Sequence, residues 1–176
     1  MHIKLKRSPG IYLAGFMGSG KSTVGQLLAD RLGWNFADLD REIESEQGTS
    51  IGDIFVMRGE PEFRRIETEM MRKWVRRIEC GAPTVVALGG GAFVQPGNFD
   101  LIENHGVSLW LDCTLEDIER RLEEERRERP LAKDREAFRR LYYERRDGYS
   151  KADFRVDANC EPTVAVDTIL ALPLWT

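Results

Sequence analysis

Hydrophobic and polar positions along the chain alternate between two periods. Short apolar runs are separated by longer stretches in which apolar residues recur every three or four positions. "GIYLAG" is a compact apolar run, and "KSTVGQLLADRLG" follows it with Val24, Leu27, Leu28 and Leu32 on one stripe and Gly33 as a stop. The pattern predicts a strand, a loop and a helix. "NFADLD" predicts a second short strand ending at two aspartates, and "REIESEQG" a short helix closed by Gly48. "SIGDIFVMRG" carries Ser50 as N-cap and Gly59 as stop. In "EPEFRRIETEMMRKWVRRIE", Phe63, Ile66, Met70, Trp74 and Ile78 share a face, which predicts a long amphipathic helix.

The second half repeats the theme. "TVVAL" and "VSLWLD" predict buried strands, with the short helix "PGNFDLIENHG" between them. "TLEDIERRLEEERRE" predicts a helix capped by Thr114, with Glu116 and Asp117 favouring its first turn. "RPLAKD" interrupts the pattern as a loop or lid. "REAFRRLYYERRDGYSKA", "FRVDA" and "TVAVDTILAL" predict helix, strand and closing helix. Strands alternating with helices imply an α/β fold, a mainly parallel sheet with helices on both faces. Ligands in such folds gather at the carboxyl ends of the strands. Gly15, Asp38, Asp40, the glycines of "LGGG" and Asp112 would all lie along that edge.

Composition narrows the function. The 176 residues form one expected domain, 1–176. A net charge of −4 argues against nucleic acid as a partner, because phosphate backbones select basic surfaces. No run approaches 18 apolar residues, so no membrane span is expected, and "MHIKLKRSPG" lacks the apolar core of a signal peptide. Cys80, Cys113 and Cys160 fit no metal spacing, and only His2 and His105 offer imidazoles. A cytoplasmic monomer with free thiols is the expectation.

The chemistry begins at "GFMGSGKST". Gly15, Gly20, Lys21 and Ser22 match the spacing of a phosphate-binding loop. Glycines let successive N–H groups turn inward toward oxygens, and the following helix adds its positive end. Gly18, Ser19, Gly20, Lys21, Ser22 and Thr23 are the candidate contacts for ATP, with Lys21 on the outer phosphates and Ser22 on Mg²⁺. Asp38 and Asp40, two apart on an extended segment, would face one cleft. One carboxylate can serve the metal while the other takes a proton from an acceptor hydroxyl. Asp112 has the shape of a magnesium aspartate but ranks below Asp38, because a strand-end aspartate is often just the cap of the next helix, the role that Thr114 and Glu116 suggest here. Arg64 lies beside the apolar face of its helix, where its guanidinium can grip a carboxylate. Gly89, Gly90 and Gly91 leave bare backbone for an acceptor. Arg129 starts the break, where a mobile segment can bring a cation to the transferring phosphate. Arg145 and Arg146 are further cations.

Together, "GFMGSGKSTVGQLLADRLG", "FADLDREIE", "GEPEFRRIE", "LGGGA", "VSLWLD", "RPLA" and "RRDGYSKAD" resemble the shikimate kinase family, in its order, from Ile11 to about Ile169. The resemblance implies a three-layer P-loop fold with five parallel strands in order 2-3-1-4-5 and a mobile lid at about 114–135. It implies transfer of the ATP γ-phosphate to the 3-hydroxyl of shikimate. Lys21 and Arg129 would steady the phosphates, Ser22 and Asp38 would hold Mg²⁺, and Asp40 would be the base. Arg64 and Arg145 would clamp the shikimate carboxylate, and Gly89, Gly90 and Gly91 would contact its ring. Asp147 stands where the family's R-x-P-x-Y signature has proline, so Arg146 also remains a candidate for the clamp. Arg120, Arg121 and the turn at Pro162 are candidates for adenine. The alternatives are a related kinase acting on gluconate or a nucleoside monophosphate, and a nucleotide-binding protein without chemistry.

Overall fold

A computed structural model of the chain describes residues 9–125 and 134–174. Five strands form one sheet: β1 (Gly10–Ala14), β2 (Asn35–Asp38), β3 (Thr84–Ala87), β4 (Val107–Asp112) and β5 (Phe154–Asp157). Every pairing is parallel, and the spatial order is β2-β3-β1-β4-β5. The three central strands are buried along their whole length, which is why they read as unbroken apolar runs. β2 and β5 are edge strands, and their polar residues Asn35, Arg155 and Asp157 are exposed.

Parallel strands need crossovers, and helices supply them. They are α1 (Lys21–Leu32), α2 (Leu39–Gln47), α3 (Ile51–Arg58), α4 (Glu60–Glu79), α5 (Asn98–Ile102), α6 (Leu115–Glu124), α7 (Arg135–Tyr149) and α8 (Pro162–Leu170). α4 buries Phe63, Ile66, Met70, Trp74 and Ile78, the predicted face, and packs against α2, α3 and α5. α1 packs on α8. Ser50 caps α3 and Thr114 caps α6, each accepting the backbone N–H three residues on.

Two expectations change. Asp40 is not on an extended segment with Asp38. β2 ends at Asp38, whose side chain caps α2, so Asp40 lies in the first turn of that helix. A cap and an acidic first turn both favour the helix start. Second, 115–124 forms a regular helix with Leu115, Ile118 and Leu122 buried, so the first part of the expected lid is packed core. Residues 126–133, in the later part of that expected lid, lie outside the described residues.

The chain leaves β1 for β2, returns through β3 beside β1, and then crosses to β4 on the other side of β1. The switch point is therefore the carboxyl end of β1, the place where ligands bind in open sheets of this kind.

Candidate active site

The loop after β1 turns on glycines. Gly15, Gly18 and Gly20 have φ of 149°, 80° and 93°, conformations that side chains disfavour. At Gly15 space is limiting as well: a Cβ would lie 2.7 Å from the Leu111 carbonyl oxygen. The loop is propped from beneath by Ile118 and Leu122 of α6, 3.4 and 3.5 Å from where a Cβ on Gly18 would be. Lys21 Nζ folds across the loop and donates to the carbonyls of Gly15 at 2.7 Å and Phe16 at 3.0 Å. α1 begins here with no acidic residue in its first turn, so its positive end is not offset locally. Ser19 is buried and Thr23 is exposed.

Ser22 Oγ, on the first turn of α1, donates to Asp38 Oδ2 at the end of β2. The other Asp38 oxygen accepts the Arg41 N–H at 3.3 Å. Asp40, in the first turn of α2, lies against the glycine turn that follows β3. A Cβ on Gly89 would fall 2.8 Å from Asp40 Oδ1 and 3.0 Å from Glu67 Oε2, so the bare glycine lets two carboxylates approach the backbone.

The same turn gathers two guanidiniums. Arg64 is 17% exposed and donates from Nη1 to Glu67 Oε1 at 2.9 Å and from Nη2 to Glu60 Oε1 at 3.3 Å. Its guanidinium sits within 2.6 to 2.9 Å of where a Cβ on Gly91 would be. Arg145 Nη1 lies 3.2 Å from the corresponding point on Gly90, and its guanidinium stands 5.7 Å from the centre of the Phe16 ring. Burial pushes the Glu67 carboxyl above its ordinary range, Arg64 and Arg145 pull it down, and Asp40 pushes it up. Those four groups therefore share one electrostatic neighbourhood. Tyr149 OH donates to the Gly90 carbonyl, and burial lifts its phenol to about 12.

Arg146 points elsewhere. It makes a two-pronged contact with Asp112, Nη1 to Oδ1 at 2.6 Å and Nη2 to Oδ2 at 3.1 Å. Arg155 adds a third bond to the same carboxylate at 2.5 Å. Asp112 is thus engaged by two cations, and the cap of α6 is Thr114 instead. Among the adenine candidates, Arg121 donates to the carbonyl of Ala158 at 2.6 Å, joining α6 to the loop before Pro162. Arg120 is exposed and pairs with Asp117 and Glu124 on its own helix. Arg129 lies outside the described residues.

Sequence reasoning quoted Glu67 within "GEPEFRRIE" but gave it no role. Its spacing from Arg64, three residues on one helix face, was the available signal. Phe16 and Tyr149 were also missed, since neither ring has meaning until α7 lies over the loop. Asn98, buried completely, was missed too. It donates to the Ala92 carbonyl at 2.9 Å and accepts from Thr68 at 2.8 Å, tying the glycine turn to α4.

Comparison with known proteins agrees with this geometry. The shikimate kinase family model matches residues 17–172. The shikimate kinase of Geobacter metallireducens is 45% identical over 150 residues, 84% of this chain and 81% of that protein. The crystal structure of shikimate kinase from Aquifex aeolicus superposes with a TM-score of 0.81 at 36% identity, covering 92% of this chain and 94% of that one. Shikimate kinase from Acinetobacter baumannii, solved in complex with shikimate, gives a TM-score of 0.81 at 32% identity over 95% and 96% of the two chains. By sequence and by fold, the chain belongs to the shikimate kinase family, enzymes that transfer a phosphoryl group from ATP to shikimate.

Proposed function

We propose that this chain phosphorylates the 3-hydroxyl of shikimate through the residues gathered at the carboxyl edge of β1, β2 and β3. Gly18, Ser19, Gly20, Lys21, Ser22 and Thr23 receive the phosphates of ATP. The loop's inward N–H groups and the start of α1 favour polyanions there, and Lys21 moves from the loop carbonyls to the phosphate oxygens. Asp40 accepts the proton that leaves the acceptor hydroxyl as the new P–O bond forms and ADP departs. Arg64 and Arg145 grip the carboxylate, and Gly89, Gly90 and Gly91 leave room for the ring between them. Arg129 supplies a cation to the transferring phosphoryl group.

Ser22 and Asp38 fit Mg²⁺. They present hard oxygen donors in contact with each other beside the phosphate loop. That matches an ion held by one or two protein oxygens and the substrate's own phosphates. When bound, the ion neutralises charge on the β- and γ-phosphate oxygens.

One observation carries the proposal. Arg64 and Arg145 meet consecutive glycines, Gly91 and Gly90, while Asp40 meets the next, Gly89. An anionic acceptor held by the first two would place a hydroxyl within reach of the third. The test is ADP release with shikimate, gluconate and nucleoside monophosphates as acceptors, in wild type and Arg64→Lys. Turnover confined to shikimate, with Arg64→Lys raising the shikimate KM far more than that of ATP, is expected. An ammonium cannot reproduce the planar fork. Equal effects on both KM values would overturn the clamp.

A further inference from the structure

We propose that Asp112 is a positioning residue for the shikimate clamp: by holding Arg146 and Arg155 it fixes the rotation of α7 and so points Arg145 at the acceptor. The inference rests on the reading of Arg145 given above.

Arg145 and Arg146 are neighbours on a helix, so their side chains leave the axis about 100° apart. Only one can face Gly90 at a time. Turning α7 to bring Arg146 to the glycine turn would carry Arg145 away from it. Something must choose, and the sequence "ERRDGY" does not.

The choice is made at the end of β4. The Asp112 side chain is 9% exposed and both its oxygens are engaged by the Arg146 fork, with Arg155 from β5 on the second. Arg146 Nη1 also donates to the Tyr142 hydroxyl at 2.8 Å, and that hydroxyl donates to the Cys113 carbonyl at 2.8 Å. Trp110 fills the space between, its ring 4.9 Å from the Arg146 guanidinium and 5.2 Å from that of Arg155. The anchor is rigid. β4 pairs with β1 next to the phosphate loop, Ala14 opposite Trp110, and Ala158 N–H donates to the Asp112 carbonyl at 2.9 Å. A fork–fork pair fixes direction as well as distance, which a single point charge does not. α7 is thereby tied to the central sheet, one residue away from the arginine it presents.

Two other contacts bear on the same helix. Tyr149 OH meets the Gly90 carbonyl, and a Cβ on Gly148 would lie 2.4 Å from Val94 Cγ1, so α7 lies tight against the segment after the glycine turn. They hold α7 at its far end, and the charged lock adds a directional tie one residue from Arg145.

The experiment compares Asp112→Asn, Arg146→Lys and Arg145→Ala, and the doubles Asp112→Asn/Arg145→Ala and Arg146→Lys/Arg145→Ala, by steady-state ADP release. Asparagine keeps the shape of Asp112 and loses its charge. The expected result is a rise of about tenfold in shikimate KM for Asp112→Asn, with the KM for MgATP within about twofold of wild type. In the Arg145→Ala background the same change adds less than about twofold, because its route is gone. A full additive effect in that background, an unchanged shikimate KM, or equal rises in both KM values overturns the positioning role while leaving the clamp intact. An Arg145→Ala enzyme with normal shikimate KM overturns the clamp itself, and this inference with it. Arg146→Lys keeps charge and stem, so its cycle decides if Asp112→Asn does not fold.

Discussion

The Ser22 hydroxyl donates to the Asp38 carboxylate, joining the first turn of α1 to the end of β2. Two crossovers of the sheet are thus tied by the pair of oxygens proposed to hold Mg²⁺. Asp38 has a second task, since its other oxygen caps α2. The two tasks separate by substitution. Asparagine caps a helix about as well as aspartate, whereas alanine costs about 1 kcal/mol. Asp38→Asn should keep the wild-type melting temperature and need more Mg²⁺ for half-maximal rate. Asp38→Ala should show both defects. A magnesium titration of the two variants alongside thermal melts checks this. An unchanged magnesium requirement in both would remove Asp38 from the metal.

Asp40 stands in the first turn of α2, with its carboxylate against the bare backbone of Gly89. A base must be ionised to take a proton. Asp40→Asn should lower kcat by roughly 10²–10⁴ with a smaller change in either KM. Single-turnover phosphoryl transfer measures the step directly. A near-normal rate would leave Asp40 as a hydrogen-bond partner only.

Glu67 makes stability depend on pH. Burial raises its carboxyl above the ordinary value, opposed by the charge of Arg64 and by its hydrogen bond. Between the ordinary and the raised value, the folded protein keeps a proton that the unfolded chain has lost. Its contribution to stability is complete below that window and falls away as pH rises through it. Glu67→Gln cannot titrate, so its denaturation midpoint should fall less than that of wild type from about pH 4 upward. Parallel curves for the two proteins would show that Glu67 titrates alike folded and unfolded.

Gly91 is a matter of space and not of φ, since it lies outside the left-handed region. An added methyl there would meet the Arg64 guanidinium at 2.6 to 2.9 Å. That group ends a long side chain and can shift, so Gly91→Ala should fold with near-normal stability. It should also raise the shikimate KM, by up to roughly 10²-fold for a displacement near 1 Å, and leave that of ATP unchanged. Melting curves and two substrate titrations test the split. Loss of folding, or equal rises in both KM values, would refute it.

The sequence specified the elements closely because most of the signals were local. Continuous apolar runs marked β1, β3 and β4, the 3.6-residue stripe marked α4, and Ser50, Thr114, Gly33 and Gly48 marked helix ends. The phosphate loop was legible for the same reason. Its glycines, lysine and serine stand within nine consecutive residues, so their spacing can be read along the chain. Asp38 and Asp40 mark the limit. Alternation predicted a longer strand, but the side chain of Asp38 starts a helix instead, and the second carboxylate reaches the cleft by another route.

Tertiary structure alone decided which charged residues act together. The segment around Arg145 and Arg146 reads the same for either arginine, and only the fold shows that Arg146 is the one that meets Asp112, a carboxylate on another element far away in sequence. Glu67 became a buried partner of Arg64 only because α4 faces the glycine turn. Local propensity is carried by neighbours along the chain, so it can be read from them. Burial, pairing of charges and the aim of a side chain depend on residues brought together by folding, and those are settled by packing.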